Sequence, residues 1–170
     1  MHLLPLLTLL AAPIPPTPAF LGEAPEPADN STTPEKVELG YLLFFEKRLS
    51  RDGSLSCSSC HEPSRNYTDG RASSPKVGGA MNTRNSPPVT NLGYHKSFYW
   101  DGRMPTLEAV SGAAWKGQLG AEPSEVAKRL NGLPEYRARF SSAFGGEATA
   151  ENVPMALAAF FRALKVGDSP

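Results

Sequence analysis

The amino-acid sequence predicts a mainly α-helical protein whose helices are joined by long loops. Apolar residues recur at helical spacing before residue 46 and again after Trp100, and no segment shows the alternation of a half-buried strand. Seventeen prolines and fifteen glycines among 170 residues favour shaped connections over a regular bundle. This length suits one domain with a single core.

The first helix is expected to begin at Pro34. Thr32 and Glu35 have the spacing of a capping box, and proline is favoured in the first helical turn. The apolar pattern continues through Phe45, and the helix is expected to end near the turn at residues 50–53.

Four further helices are expected after Trp100. The first of them covers residues 106–115, Ser124 is expected to cap the second, and Pro134 opens the third. The last begins near Thr149, because Pro154 is tolerated only close to a first turn.

The N-terminal segment of the chain predicts export. Residues 3–14 are almost wholly apolar and have the length of a signal-peptide core, although no positive charge precedes them. We therefore expect a signal peptide at residues 1–19, a Pro/Ala-rich linker at 20–33 and a folded domain at 34–168. The protein is expected to be periplasmic or otherwise exported.

The charges argue against nucleic acid as a partner. Lys and Arg together number 17, as do Asp and Glu, so the formal net charge is zero. Phosphate binding needs a clustered basic excess, and the sequence contains no such cluster.

Residues 57–99 form a long polar stretch rich in Ser, Asn, Gly and Pro. A loop of this length inside a compact domain is usually functional or wrapped around something. A large apolar cofactor would supply the core that this stretch lacks.

The sequence contains one C-x-x-C-H motif, formed by Cys57, Cys60 and His61. This motif is the signature of c-type haem attachment. Two cysteines three positions apart can bond the two vinyl groups of one haem, and the adjacent His61 becomes the proximal iron ligand. The alternatives are a redox dithiol, a disulfide, or a zinc site completed by His95. The sequence thus predicts one covalent haem c in a single cytochrome c-type domain, with long loops wrapped around the haem.

The sixth iron position has several candidates. Met81, Met104, Met155 and His95 are available, and Met81 is preferred because it follows a Gly-rich loop that could cover the haem. A methionine ligand would make an electron carrier, whereas an open position would admit peroxide.

Two segments carry a family resemblance. They read LGYLLFFEKRLSRDGSLSCSSCHEPSRNYTDGR and RNSPPVTNLGYHKSFYWDGRMPTLE. They resemble the N-terminal haem domain of bacterial dihaem cytochrome c peroxidases, a group that includes the methylamine-utilisation maturation enzyme. The resemblance covers residues 34–168 and implies a haem that reacts with hydrogen peroxide. It also implies that Trp100 carries electrons between haems and that Asn85 helps to bind calcium.

The sequence departs from this family in several places. It has one C-x-x-C-H motif where the family has two. Val110 stands where the family usually has a glutamine, and Val77 lies where some members have an iron-capping histidine. Gln118 aligns with the glutamate that assists O–O cleavage, and an amide cannot serve as an acid–base group.

Three functions remain open from the sequence. The first is peroxide reduction with electrons from a small redox protein, in which Trp100 and Gln118 take part in catalysis. The second is a mono-haem electron-transfer protein with Met81 or another side chain on the iron. The third is one half of a split dihaem system that docks a second haem subunit near Trp100.

Overall fold

The structure is a computed structural model, and it describes residues 16–167. The expected signal peptide therefore lies outside the described residues, except for positions 16–19. Within the described part, no helix is long and apolar enough to cross a membrane.

Five α-helices form the frame of the molecule, and the mainly α prediction is confirmed. They are α1 (Pro34–Phe45), α2 (Leu107–Gly117), α3 (Pro123–Asn131), α4 (Pro134–Phe144) and α5 (Asn152–Ala163). Short 3₁₀ turns cover Lys47–Leu49, Cys57–Ser59, Pro63–Arg65 and Leu92–Tyr94. Between residues 16 and 167, extended pairing is limited to isolated bridges.

The core centres on the contact between α1 and α5. Leu39, Leu43 and Phe44 of α1 are 0 % exposed, and the Phe44 ring lies 5.3 Å from the ring of Phe160 on α5. Gly40 allows the close approach, because a Cβ atom there would collide with the Ala156 carbonyl. The two helices thus form the rigid wall on which the loops rest.

The start of α1 is predicted correctly, but its cap is not. Thr33 is the N-cap and its Oγ1 accepts a 3.4 Å hydrogen bond from the Lys36 amide. Thr32 Oγ1 instead accepts from Nε of the buried Arg162 at 2.9 Å. With Pro34 in the first helical position, Thr33 is the residue that immediately precedes the helix, so Thr32 is free to serve the guanidinium.

The cap of α3 is also corrected. The helix begins at Pro123 after Glu122, so Ser124 lies inside the first turn, where its hydroxyl contacts the Glu122 carboxylate at 3.3 Å. The starts of α2 and α4 are as predicted: Thr106 caps α2 by accepting from the Ala109 amide at 3.0 Å, and Pro134 opens α4. The last helix, expected to begin near Thr149, begins at Asn152.

The segment 20–33, for which composition predicts a linker, lies against the helices. Asn30 is 0 % exposed, and its side chain donates to Glu108 at 2.8 Å and to the Met155 carbonyl at 3.0 Å. Arg162, 4 % exposed, donates to the Asn30 carbonyl and to Glu108. This buried polar cluster attaches residues 20–33 to α2 and α5. The composition of the segment does not predict this attachment.

Candidate functional site

A cavity of about 670 Å³ lies between the loops and the faces of α2 and α5. Its volume falls within the range typical of cofactor sites, roughly 300–1,000 Å³. The lining includes Cys57, Cys60, His61, Asn82, Arg84, Asn85, His95, Phe98, Trp100, Arg103, Leu107, Val110, Gln118, Leu157 and Phe161. The structure therefore brings most of the sequence-predicted site residues to one cavity.

A single 3₁₀ turn presents the two thiols. The amides of Cys60 and His61 both donate to the Cys57 carbonyl, at 3.2 and 3.0 Å. Neither cysteine forms a disulfide. Burial raises the pKa of the Cys57 thiol to about 12, and burial followed by the charge of Asp69 raises the pKa of Cys60. Both sulfur atoms are therefore protonated at neutral pH and lie at the wall of the cavity.

The His61 ring is fixed in one tautomer. Its Nδ1 lies 3.1 Å from the Tyr67 carbonyl oxygen, which can only accept, so Nδ1 carries the hydrogen and the Nε2 lone pair is available to a metal. Burial lowers the pKa of His61, against the opposing effect of the Tyr67 and Pro87 carbonyls and of Asp69. A neutral imidazole is the form that binds iron.

Two arginines supply the cationic side of the cavity. Asp101 Oδ2 accepts from Arg84 and from Arg103 at 2.8 Å each, and these guanidinium groups lower the pKa of Asp101 to about 2. The Arg103 guanidinium also lies 3.9 Å above the centre of the Tyr99 ring. One carboxylate thus holds two cations at the edge of the cavity.

The chemistry of this lining fits a haem c. A haem is a broad apolar ring with two anionic propionates, and it needs two thiols and one imidazole for attachment and ligation. The cavity lining combines Cys57, Cys60 and His61 with apolar walls and with the guanidinium groups of Arg84 and Arg103. Every chemical feature of the haem has a matching group.

Trp100 connects the cavity with the molecular surface. The residue lines the cavity and is 57 % exposed. Its Nε1 donates to the Asn85 carbonyl at 3.0 Å, which fixes the indole orientation. The two residues that the family resemblance singles out are thus direct neighbours.

Calcium binding at Asn85 stays a prediction. Among residues 16–167, no group of three or more His, Cys, Asp or Glu side chains is arranged to hold a metal ion.

Gln118 lies at the cavity just after α2. Its Nε2 donates to Asn82 Oδ1 at 3.4 Å, while its Oε1 is buried and has no hydrogen-bond partner. A buried amide oxygen without a partner costs about 1–3 kcal/mol, so the site favours a ligand that can donate to it. Val110 shares the lining, but Val77 does not; its amide donates to the Gln118 carbonyl at 2.9 Å.

The structure does not bring Met81 to the cavity. Met81 is 52 % exposed, and neither it nor Met104 or Met155 contributes to the lining. His95 does line the cavity, and its ring stacks on Phe98 with centroids 6.3 Å apart. Of the four candidates for the sixth iron position, only His95 lies beside the site.

Sequence reasoning missed several residues at or near the site. Asn82, Arg84 and Arg103 line the cavity, and Asp69 is buried nearby with one carboxylate oxygen unpaired. All four lie in the loop region, where no periodicity marks an inward-facing position. The Asp69-Gly70 and Asp101-Gly102 pairs signal turns only, and do not show which turns face the cavity.

Comparison with known proteins places these features in a family. The family model described as di-haem cytochrome c peroxidase matches residues 34–170. The methylamine utilization protein MauG of Methylorubrum extorquens is 41 % identical over 150 residues, which cover 86 % of this chain and 42 % of that protein. The cytochrome c peroxidase Ccp of Escherichia coli is 32 % identical over 149 residues, or 86 % of this chain and 32 % of that protein.

A solved structure agrees with this assignment. The crystal structure of a MauG-like protein associated with microbial copper homeostasis superimposes with a TM-score of 0.85 at 34 % identity, covering 89 % of this chain and 47 % of that one. The chain spans about half the length or less of these relatives. Motif, cavity and sequence similarity lead to one conclusion: the chain belongs to the di-haem cytochrome c peroxidase family, whose members depend on haem c.

Proposed function

We propose that this chain is an exported haem c module that reduces hydrogen peroxide with electrons from a small redox protein. One observation carries the proposal: Cys57, Cys60 and His61 lie together on a cavity of about 670 Å³, with the His61 tautomer fixed for ligation. Peroxide as the substrate is supported by the family, whose members include named cytochrome c peroxidases.

The attachment residues have distinct roles. The Cys57 and Cys60 sulfurs would bond the haem vinyl groups, and His61 Nε2 would ligate the iron. The Tyr67 backbone carbonyl orients the His61 ring by accepting a hydrogen bond from Nδ1. Such supporting contacts hold a metal ligand in its binding geometry. When bound, the haem supplies an iron at which peroxide can take up electrons.

Gln118 is the residue proposed to bind peroxide. Its unpaired Oε1 can accept a hydrogen bond from a peroxide hydroxyl, and Asn82 holds the other end of the amide. The amide does not titrate, so it orients the substrate without moving a proton. General acid–base catalysis is typically worth about 10²–10⁴-fold, and turnover should be slow by that measure.

Electrons are proposed to enter through Trp100. Its exposed indole is accessible to a docking partner, and the same residue lines the cavity. The overall reaction converts hydrogen peroxide into two water molecules and consumes two electrons and two protons. The electrons come from the small redox protein and the protons from solvent.

A split dihaem system is a second candidate function, favoured by the exposure of Trp100 at the cavity wall. In that case the donor is a separate haem subunit that docks over Trp100, and the chain turns over only with that subunit. A mono-haem electron carrier with Met81 on the iron has no comparable support, since Met81 lies outside the cavity lining.

Peroxide consumption with a reduced small c-type cytochrome tests the proposal. The haem-loaded protein is expected to oxidise the donor slowly in a peroxide-dependent reaction. Gln118→Glu, which supplies a titratable group of nearly the same shape, should raise kcat/KM roughly tenfold or more, and Gln118→Leu should lower it. If neither the native protein nor Gln118→Glu consumes peroxide with any donor, the peroxidase proposal is wrong.

A further inference from the structure

Asp69 is a buried carboxylate that the proposed peroxide chemistry does not use. The residue is 7 % exposed. Its Oδ1 accepts a 3.0 Å hydrogen bond from the Arg71 amide, whereas Oδ2 is buried with no partner. Burying a carboxylate so poorly paired is unfavourable, and such a group requires an explanation.

The surroundings of Asp69 point to that explanation. Thr68, the residue before Asp69, pairs in an antiparallel bridge with Glu62, the residue after His61, and the Glu62 amide donates to the Thr68 carbonyl at 3.2 Å. Asp69 therefore lies beside the C-x-x-C-H motif, and its charge contributes to the pKa shifts of both Cys60 and His61, which line the haem cavity. Tyr67, whose carbonyl fixes the His61 ring, lies two residues before it. The nearby cation Arg71 is exposed, so solvent screens it more than it screens Asp69.

A buried negative charge beside this motif has a predictable effect on a bound iron. The ferric state carries one more positive charge than the ferrous state, so a nearby carboxylate stabilises the oxidised form more. The attraction is strong where the surroundings have a low dielectric constant. Burial and nearby charge are among the factors through which a protein sets a haem reduction potential.

We propose that Asp69 sets the reduction potential of this haem by stabilising its ferric state. Asp69 does not line the cavity, so it would act through its electric field on the His61 side of the site and not by contact. The inference rests on the proposed function only in requiring that the iron is ligated by His61.

Glu62 provides a matched control for this inference. It directly follows His61 and also carries one negative charge, but its side chain is 48 % exposed and forms a 2.7 Å ion pair with Arg65. The electrostatic interactions of exposed, paired charges contribute little free energy, and salt screens them. The two carboxylates therefore differ both in burial and in pairing, and both differences predict a weaker effect of Glu62 on the iron.

Spectroelectrochemical titration of the haem-loaded protein gives the test. Asp69→Asn is expected to raise the midpoint potential, with a shift that changes little as salt is added. Glu62→Gln should give a shift several-fold smaller that fades with salt. Asp69→Ser, which also removes the charge, must reproduce the upward shift, and it replaces Asp69→Asn if that variant does not take up haem.

The outcomes separate this inference from the proposed function. No change or a downward shift in the Asp69 variants, or an equal shift in Glu62→Gln, would overturn the role of Asp69. Absence of covalent haem from the native protein would instead contradict the proposed function. An upward shift without any peroxide turnover would support the role of Asp69 and reject the peroxidase.

Discussion

The helical frame, α1 to α5, and the cavity loops, residues 50–106, differ in the kinds of residue that they bury. In the frame, Leu39, Leu43 and Phe44 are wholly buried apolar residues. In the cavity loops, the fully or nearly fully buried residues include Ser56, Ser74, Ser86 and Asp69. The frame is stabilised by its own apolar contacts, whereas the loops bury several polar side chains around the cavity that fits a haem.

Backbone conformation shows the same contrast. Among residues 16–167, all four non-glycine residues with positive φ lie in the cavity loops. These residues are Asn66, Tyr67, Asn91 and Tyr99. Such a conformation costs a tyrosine about 1–3 kcal/mol. Tyr67 supports His61 and Tyr99 supports Arg103, so the strain lies where side chains must be aimed at the cavity.

Removing the haem should affect the two regions most differently. In a double variant Cys57→Ser and Cys60→Ser, amide hydrogen exchange in the cavity loops should accelerate roughly tenfold or more, because the loops lose their main apolar contact. Exchange in α1 and α5 should change much less. Uniform acceleration across both regions would show that the frame also depends on the haem.

A core truncation should affect the frame directly. Phe44→Ala is expected to lower the free energy of unfolding by about 3–5 kcal/mol, because it removes a wholly buried ring between α1 and α5. Denaturant unfolding of the native protein and the variant measures this loss. A cost below about 1 kcal/mol would mean that α1 and α5 are not the main source of stability.

The buried polar cluster at α5 should make the frame sensitive to acid. Burial alone would raise the pKa of Glu108, but hydrogen bonds from Arg162 and Asn30 outweigh it and hold the pKa below 4.5. A lowered pKa means that this stabilisation is present above pH 4.5 and is lost as pH falls through the folded-state value. Glu108→Gln should cost about 1.5–3 kcal/mol at neutral pH.

The same variant provides the control for the acid effect. Unfolding measured from pH 7 downward should show a smaller decline for Glu108→Gln than for the native protein, since the titrating group is gone. Parallel declines would assign the acid sensitivity to other carboxylates, such as Glu46, whose pKa the Arg48 side chain lowers to about 2.

Helix caps give the smallest expected effect. Thr106→Ala removes the hydroxyl that accepts from the Ala109 amide and should cost about 1 kcal/mol. Ser124→Ala should change the free energy of unfolding by less than about 0.5 kcal/mol, because Ser124 lies inside the first turn of α3. Equal losses for both variants would restore Ser124 as a cap.

The sequence predicts the helical frame better than it predicts the cavity loops. Helix starts at Pro34 and Pro134 were predictable, because proline placement and apolar spacing are local signals. The Thr32 and Ser124 caps were predicted wrongly, because a distant guanidinium binds Thr32 and because α3 begins at Pro123, two residues earlier than a Ser124 cap would require.

The residues of the candidate site also differ in how well the sequence predicts them. Cys57, Cys60 and His61 form a contiguous motif and could be found by reading it. Asn82 and Asp69 could not, because chain folding alone decides which polar loop residues face inward. Met81 shows the limit of a local signal: its Gly-rich surroundings permit a haem contact, whereas the folded chain leaves its side chain exposed and outside the cavity lining.

Intact mass measured after co-expression with a c-type haem maturation system shows whether this chain carries a covalent haem. One haem per chain is expected, retained after denaturation and absent when Cys57 and Cys60 are both replaced by serine. A chain with unmodified thiols after such expression would contradict the assignment of Cys57, Cys60 and His61 as a haem site, whatever the fold of the chain.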